Sequence, residues 1–236
     1  MIEWIASLQD HALFGLALTL AAYGAATALW SRFNRSGLLH PVLVATLIVS
    51  LVLMGSGLDY QAYFIQARVL NDALALILVL LAVPLYRQFP RIRHAGLPLA
   101  IALAVGSLVA LATALTLPVL LGASEQLLAT LAPKSATAAI AVQVAELLGG
   151  VGGLAAVIVI STGIFGAVFG LPILESLGVD DPRAQGFALG VASHAIGTAR
   201  AFQISDTAGA FAGLGMILNG LLTMALVPLV LTMLRG

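Results

Sequence analysis

The chain has no cysteine. Disulfides, thiolate nucleophiles and cysteine metal sites are therefore excluded. Charge is nearly as scarce: 8% of the 236 residues are Asp, Glu, Lys or Arg, and they balance to a formal net charge of zero. Soluble domains carry about 25% charged residues, and no polar stretch here is long enough to build one. Zero net charge gives no electrostatic case for a nucleic-acid partner. His11, His40 and His94 sit in separate loops and show no metal-ligand spacing. The N-terminus, MIEWIASLQDHALFG, lacks the basic start of a cleavable signal peptide, so the first apolar run is predicted to stay as a membrane span.

Apolar residues fill the space that charge leaves. They make up 61% of the chain, with a mean hydropathy of +1.10. The runs are long and do not alternate, which argues for helices and against a β-barrel. The reading is an all-α polytopic membrane protein. One transmembrane domain covers residues 1–236: four N-terminal spans in 1–122, then two repeat units in 123–236, each a broken helix plus a span. Full spans are predicted at about 12–30, 38–54, 69–86, 97–121, 154–174 and 211–234. Trp4 is expected at headgroup level. Residues 55–68 read as a loop or a surface-lying segment with tyrosine anchors.

The repeat rests on two stretches 60 residues apart. Pro133–Glu146 aligns with Ser193–Asp206, placing Lys134 over His194 and Gln143 over Gln203. Both open with small, polar and basic residues that continue a lipid-facing helix poorly. Pro133 lacks an N–H and Gly197 loosens the backbone. Ser135, Thr137, Ser193 and Thr198 can satisfy freed backbone groups. Each stretch is predicted to be a break followed by a half-helix, starting near Ser135 and near Thr198. Irregular backbone at membrane depth must be buried in protein or line a wet cavity. Paired breaks in matching repeat positions point to a transporter binding site.

Orientation follows the basic residues. Arg32 and Arg35, then Arg87, Arg91 and Arg93, mark cytoplasmic loops. The bundle then has six crossings if the broken segments dip in and return, or eight if they pass through. The acidic loop from Glu175 to Asp181 suits the outside, which favours eight.

Ionisable groups inside a membrane are functional hypotheses by default. Lys134 and Arg200 are expected to bind a carboxylate; the structural alternative is an ion pair with Glu146 or Asp206, or a snorkel to the interface. Ser135, Thr137, Ser193, Gly197 and Thr198, with the half-helix N-termini, are expected to hold the anion. His194 is a candidate for proton coupling, the alternative being a histidine satisfied by backbone carbonyls. Ser193 beside His194 is not a catalytic pair, because chain neighbours rarely aim at each other and no third group orients them. No catalytic residue, metal or cofactor is expected beyond H⁺ or Na⁺ as a coupling ion. Gly163, Gly166 and Gly170 form a small-residue stripe suited to close helix contact.

These segments resemble a family. APKSAT at 132–137, the Gly149-Gly150 joint and ASHAIGTARA at 192–201 are similar to the signature regions of LrgB/CidB proteins. Ala82–Tyr86 and Leu39-His40-Pro41 fit as well, and the likeness runs from about Leu38 to the C-terminus. It departs from the family pattern at His40, Ala195 and Gln203. The chain is also similar to the C-terminal half of a plastidial glycolate/glycerate translocator. The resemblance implies a multi-pass protein of the bacterial cytoplasmic (inner) membrane. It further implies either transport of small monocarboxylates such as glycolate, glycerate, pyruvate or lactate, or antiholin-like regulation of murein hydrolase export and autolysis. In both cases a smaller LrgA/CidA-type membrane protein is the implied partner, and a homo-oligomer is compatible.

Overall fold

The computed structural model describes residues 13–33, 39, 41–80 and 82–235. Trp4, His11, Arg35 and His40 lie outside the described residues. The chain divides into two compact units, 1–82 and 83–236.

The first unit holds α1 (Phe14–Arg32), α2 (Pro41–Ser56) and α3 (Tyr60–Leu80), with α1 packed on both others. Gly15 lets α1 approach α3: a Cβ there would sit 2.6 Å from the Tyr63 carbonyl oxygen. Two polar clasps fix the contact. The Gly15 N–H donates to Gln66 Oε1 at 2.8 Å, and the Thr19 and Tyr63 hydroxyls meet at 2.7 Å. The stretch over 55–68, expected as a loop or a surface-lying segment, is mostly helix. Asp59 accepts from the N–H groups of Gln61 and Ala62, and so starts α3 nine residues earlier than expected.

The short α4 (Ala82–Arg87) begins at the boundary, and the second unit goes on with α5 (Phe89–His94). It continues with α6 (Gly96–Leu120), α7 (Glu125–Leu131), α8 (Ala138–Leu147), α9 (Gly152–Ser176), α10 (Pro182–Ile204) and α11 (Asp206–Arg235). Among the described residues, α1, α6, α9 and α11 are long and apolar enough to cross a membrane.

Both expected breaks are present, and each reverses the chain. The Val151 N–H donates to Thr130 Oγ1 at 2.9 Å. Val151 follows the ten-residue α8, which is about 15 Å long. It can reach Thr130 only because α8 runs back alongside α7. Ala129, Ala132 and Val144 share one core cluster across this hairpin. The six residues 132–137 form its tip, and Thr137 caps α8. The return helix thus begins at Ala138 rather than near Ser135.

α10 folds back more sharply. A side chain on Gly197 would strike the carbonyl of Leu189, eight residues earlier. In a straight helix those residues would be about 12 Å apart. The irregular backbone is confined to Ser193 (φ −132°, ψ 15°) and His194 (φ 43°, ψ −132°). Thr198, expected near a helix start, lies inside the return half. Gly186 and Gly190 press on the α11 backbone at Ala208 and Ala212. Their common offset shows the first half of α10 (182–192) running parallel to α11.

The two hairpins start from opposite ends of the unit. Arg91 donates to Thr207 Oγ1 at 3.4 Å, and Ile92 packs with Phe187 and Phe211. Residues 88–95, the turn into α10 and the α10–α11 link therefore share one end. Leu111, Leu115, Val227 and Leu231 pack toward the other, with the α7–α8 hairpin. The acidic 175–181 loop thus lies at the same end as Arg87–His94, not opposite it as expected. The reason is the first hairpin: it returns the chain to the side it left, so α9 leads back to the basic end.

Candidate functional site

One side chain joins the two tips. Asn219 lies at the middle of α11 and is completely buried. Its Nδ2 donates to the Ser135 carbonyl at 2.9 Å and to the Val191 carbonyl at 3.1 Å. Carbonyls only accept, so the amide orientation is fixed. Its Oδ1 accepts from Ser107 Oγ at 2.6 Å. Ser107 lies next to the midpoint of α6. The tips of both hairpins therefore meet at the centres of two long apolar helices. The Val191 carbonyl that accepts from Asn219 lies two residues before the non-helical backbone at Ser193–His194.

Lys134, in the first tip, faces a cavity of about 750 Å³ between α6 and the first half of α10. Pro98, Ala102, Gly106, Ala110 and Thr113 line one side of it at helical spacing. Pro98 to Thr113 spans about 22 Å of helix. Arg183 and Asp181 stand at the other end, beside Ala95. The cavity thus runs from the basic end of the unit to the point where the tips touch. Among the described residues, the salt bridges are Arg68–Asp72 and Arg183–Asp181. Lys134 takes part in neither, and neither Glu146 nor Asp206 pairs with it. At the mouth, Asp181 accepts from Arg183 Nε at 3.0 Å. Hydrogen bonds from the Arg183 side chain and backbone hold the Asp181 carboxyl below the usual range.

Thr137 caps α8, and the other predicted residues divide into three groups. Ser135 is buried and faces a small cavity with Ser107 and Thr223. Ser193, His194, Gly197 and Thr198 build the reversal in α10. His194 Nε2 donates to the Val159 carbonyl at 2.9 Å, and Thr198 donates to the His194 carbonyl at 2.8 Å. The glycine stripe of α9 makes room for them. A Cβ on Gly163 would lie 2.6 Å from His194 Cε1, one on Gly166 would overlap Ser193 Oγ, and one on Gly170 would meet Leu189 Cδ2 at 2.6 Å. Arg200 lies on the return half of α10, half-buried, and donates to Gln203 Oε1 at 2.8 Å. The Lys134 cavity is not lined by Arg200, nor by the other six. The sequence reading missed Asn219 and Ser107. Their signal was a polar side chain near the centre of an otherwise apolar span.

Residues 19–233 match the LrgB-like family. The chain belongs to that family. It is an integral, multi-pass membrane protein. Holin-like protein CidB of Staphylococcus epidermidis is 30% identical over 221 residues, covering 94% of this chain and 96% of the relative. Holin-like protein CidB of Staphylococcus aureus is 32% identical over 222 residues, covering 94% and 96%. The uncharacterized protein YxaC of Bacillus subtilis is 34% identical over 219 residues, covering 93% and 95%. No solved structure matches the chain.

Proposed function

We propose that this LrgB-like protein is a secondary transporter of small monocarboxylates, with Lys134 as the group that receives the carboxylate. The observation that carries the reading is the Lys134 side chain, lining a half-open groove without an ion-pair partner among the described residues. An ionisable group this deep normally faces a water-filled path or a partner. The hairpins are re-entrant and give six crossings, with the tips entering from opposite faces as units of one repeat. Such interrupted elements form substrate sites near the midplane of transporters. Ser135 and Thr137 keep the tip around Lys134 in shape. Ser193, Gly197 and Thr198 do the same for the opposing tip.

Arg200 is the second cation of the proposal, meeting the anion when the tips open toward the other face. His194, with one ring nitrogen already donating, carries the proton if coupling is to H⁺; Na⁺ is the other coupling ion. Purified protein in liposomes should take up labelled pyruvate or lactate. Lys134→Gln should abolish uptake while the protein still inserts and elutes as a single species. Full uptake by that variant would remove the assignment.

The name that two relatives carry, Holin-like protein CidB, favours a second reading: a membrane protein that acts on an LrgA/CidA-type partner and moves no substrate itself. It has less support in the packing. The glycine stripe that would suit a partner helix is occupied by α10 of the same chain. Uptake by the purified protein alone separates the readings, and a requirement for the small partner would merge them.

A further inference from the structure

Independently of the transport reading, we infer that α5 and the start of α10 form a headgroup site for an anionic phospholipid. An open hollow of about 390 Å³ lies there, lined by Pro90, Arg91, His94, Ala95 and Arg183. That volume is at the lower end for ligand pockets. The Arg91 guanidinium donates to Gln88 Oε1 at 2.6 Å and to Thr207 Oγ1 at 3.4 Å. Both partners are neutral, so its charge is uncompensated. Arg183 is paired with Asp181 and brings donors without net charge. His94 Nδ1 donates to the Pro90 carbonyl at 2.7 Å, which leaves Nε2 to donate when the ring is protonated. Glu175, Asp180 and Asp206 belong to the same end of the unit. None of them lines the hollow, and none pairs with Arg91.

Charge and position together select the ligand. One uncompensated positive charge matches a phosphodiester monoanion better than free phosphate, which is largely dianionic at neutral pH. α6, long and apolar enough to cross the membrane, starts at Gly96 beside the hollow. Leu97, Ile101 and Val105 follow at four-residue spacing, each more than half exposed. They form one apolar stripe that leads from the hollow into the bilayer, where acyl chains lie. Phe89 is exposed in the first turn of α5, at headgroup level. A phosphate held by Arg91 of α5 and Arg183 of α10 clasps the two helices together. An arginine near an anionic membrane surface contributes about fivefold to such binding.

The test incubates full-length protein in mild detergent with phosphatidylglycerol and phosphatidylcholine of matched chains, and counts retained lipids by native mass spectrometry. One phosphatidylglycerol should be held in preference to phosphatidylcholine, whose choline cancels the phosphate charge. Arg91→Gln should weaken that binding about fivefold. Arg93 is equally exposed but does not line the hollow, so Arg93→Gln should change binding less than about twofold. Ala95→Leu narrows the hollow at unchanged charge and should also weaken binding, which keeps the inference testable if the Arg91 variant fails to fold. Equal losses in Arg91→Gln and Arg93→Gln would mark diffuse attraction to a basic loop and overturn the site. Full binding in Ala95→Leu, or no preference for phosphatidylglycerol, would overturn it too. Displacement of the lipid by inorganic phosphate would reassign the hollow to a soluble anion and overturn the lipid assignment. None of these outcomes bears on Lys134.

Discussion

Asn219→Leu is the most informative substitution. Leucine keeps the branching at Cγ but is larger than the fully buried asparagine, so overpacking adds to the polar loss. The variant strips partners from the Ser135 carbonyl, the Val191 carbonyl and the Ser107 hydroxyl. Ser107 can turn to a carbonyl in its own helix, as Thr116 does toward Ala112 at 2.7 Å, so its loss is small. The two carbonyls have no such remedy. An unsatisfied buried acceptor costs about 1–3 kcal/mol, and interhelical hydrogen bonds in membranes fall at or below the lower end. The expected polar loss is about 2 kcal/mol, which moves the equilibrium between joined and parted tips by about thirtyfold. Thermal unfolding in detergent should show the lost stability. Spin labels placed on the two tips should show a broader or longer distance distribution. Ser107→Ala combined with Asn219→Leu should cost little more than Asn219→Leu alone, because both act in one network. An unchanged melting curve with an unchanged tip distance would refute the claim that Asn219 holds the tips together.

Four further outcomes follow from the same contacts. Gly166→Ala should destabilise by about 1–3 kcal/mol through overpacking against Ser193, and Ser193→Gly should recover part of it; a melting series over the double cycle checks both. His194→Gly should be more stable than His194→Ala by about 1 kcal/mol, since both lose the Val159 bond but only glycine accepts φ 43° without strain; this reverses the usual helix preference and is read from the same melts. Arg200→Ala should slow uptake without weakening ligand binding at the Lys134 cavity, a split that separate transport and calorimetry measurements resolve. At the mouth, the depressed Asp181 carboxyl favours the folded turn above its unfolded pKa of about 3.9. That support is lost as pH falls through the lower folded value. Amide exchange in the first turn of α10 should rise on acidification below about pH 4, and Arg183→Gln should shift the rise to higher pH.

The parts that were legible in the sequence share a physical cause. Membrane helices must be apolar and continuous, so APKSAT and SHAIGTAR stood out as places where lipid-facing helix fails. Both tips and Lys134 are legible from those segments alone. What stayed hidden depends on direction and distance. A break looks the same in sequence whether the chain continues or reverses, so six and eight crossings could not be separated by composition. The reversal shows only in contacts such as Thr130 with Val151 and Gly197 with Leu189. Charge on the 175–181 loop misled, since Asp and Glu contribute little to orientation beside Lys and Arg. Asn219 was passed over because it lies in the most regular-looking span, far from either motif.

The arrangement explains why polar residues gather at the tips rather than along the spans. A re-entrant tip at mid-depth ends a helix where no water waits, so its free carbonyls need partners from the protein. The first tip spends the Ser135 carbonyl on Asn219, and the second spends Val191 on the same amide. The cavity from the basic end stops against the first hairpin, which is rooted at the far end. The barrier between Lys134 and the opposite face is therefore that hairpin: a seven-residue helix, a ten-residue helix and the joint at Gly149, whose φ is 82°. α6 and α11 are single long helices, and Asn219, itself held by Ser107, hydrogen-bonds both tips. In the proposed transport cycle, opening toward the far face needs the hairpin to shift against these helices, and the Asn219–Ser135 bond, one residue from Lys134, would part in that step. In that cycle, ligand charge at Lys134 would be coupled to closure at Ser135 through a single peptide unit.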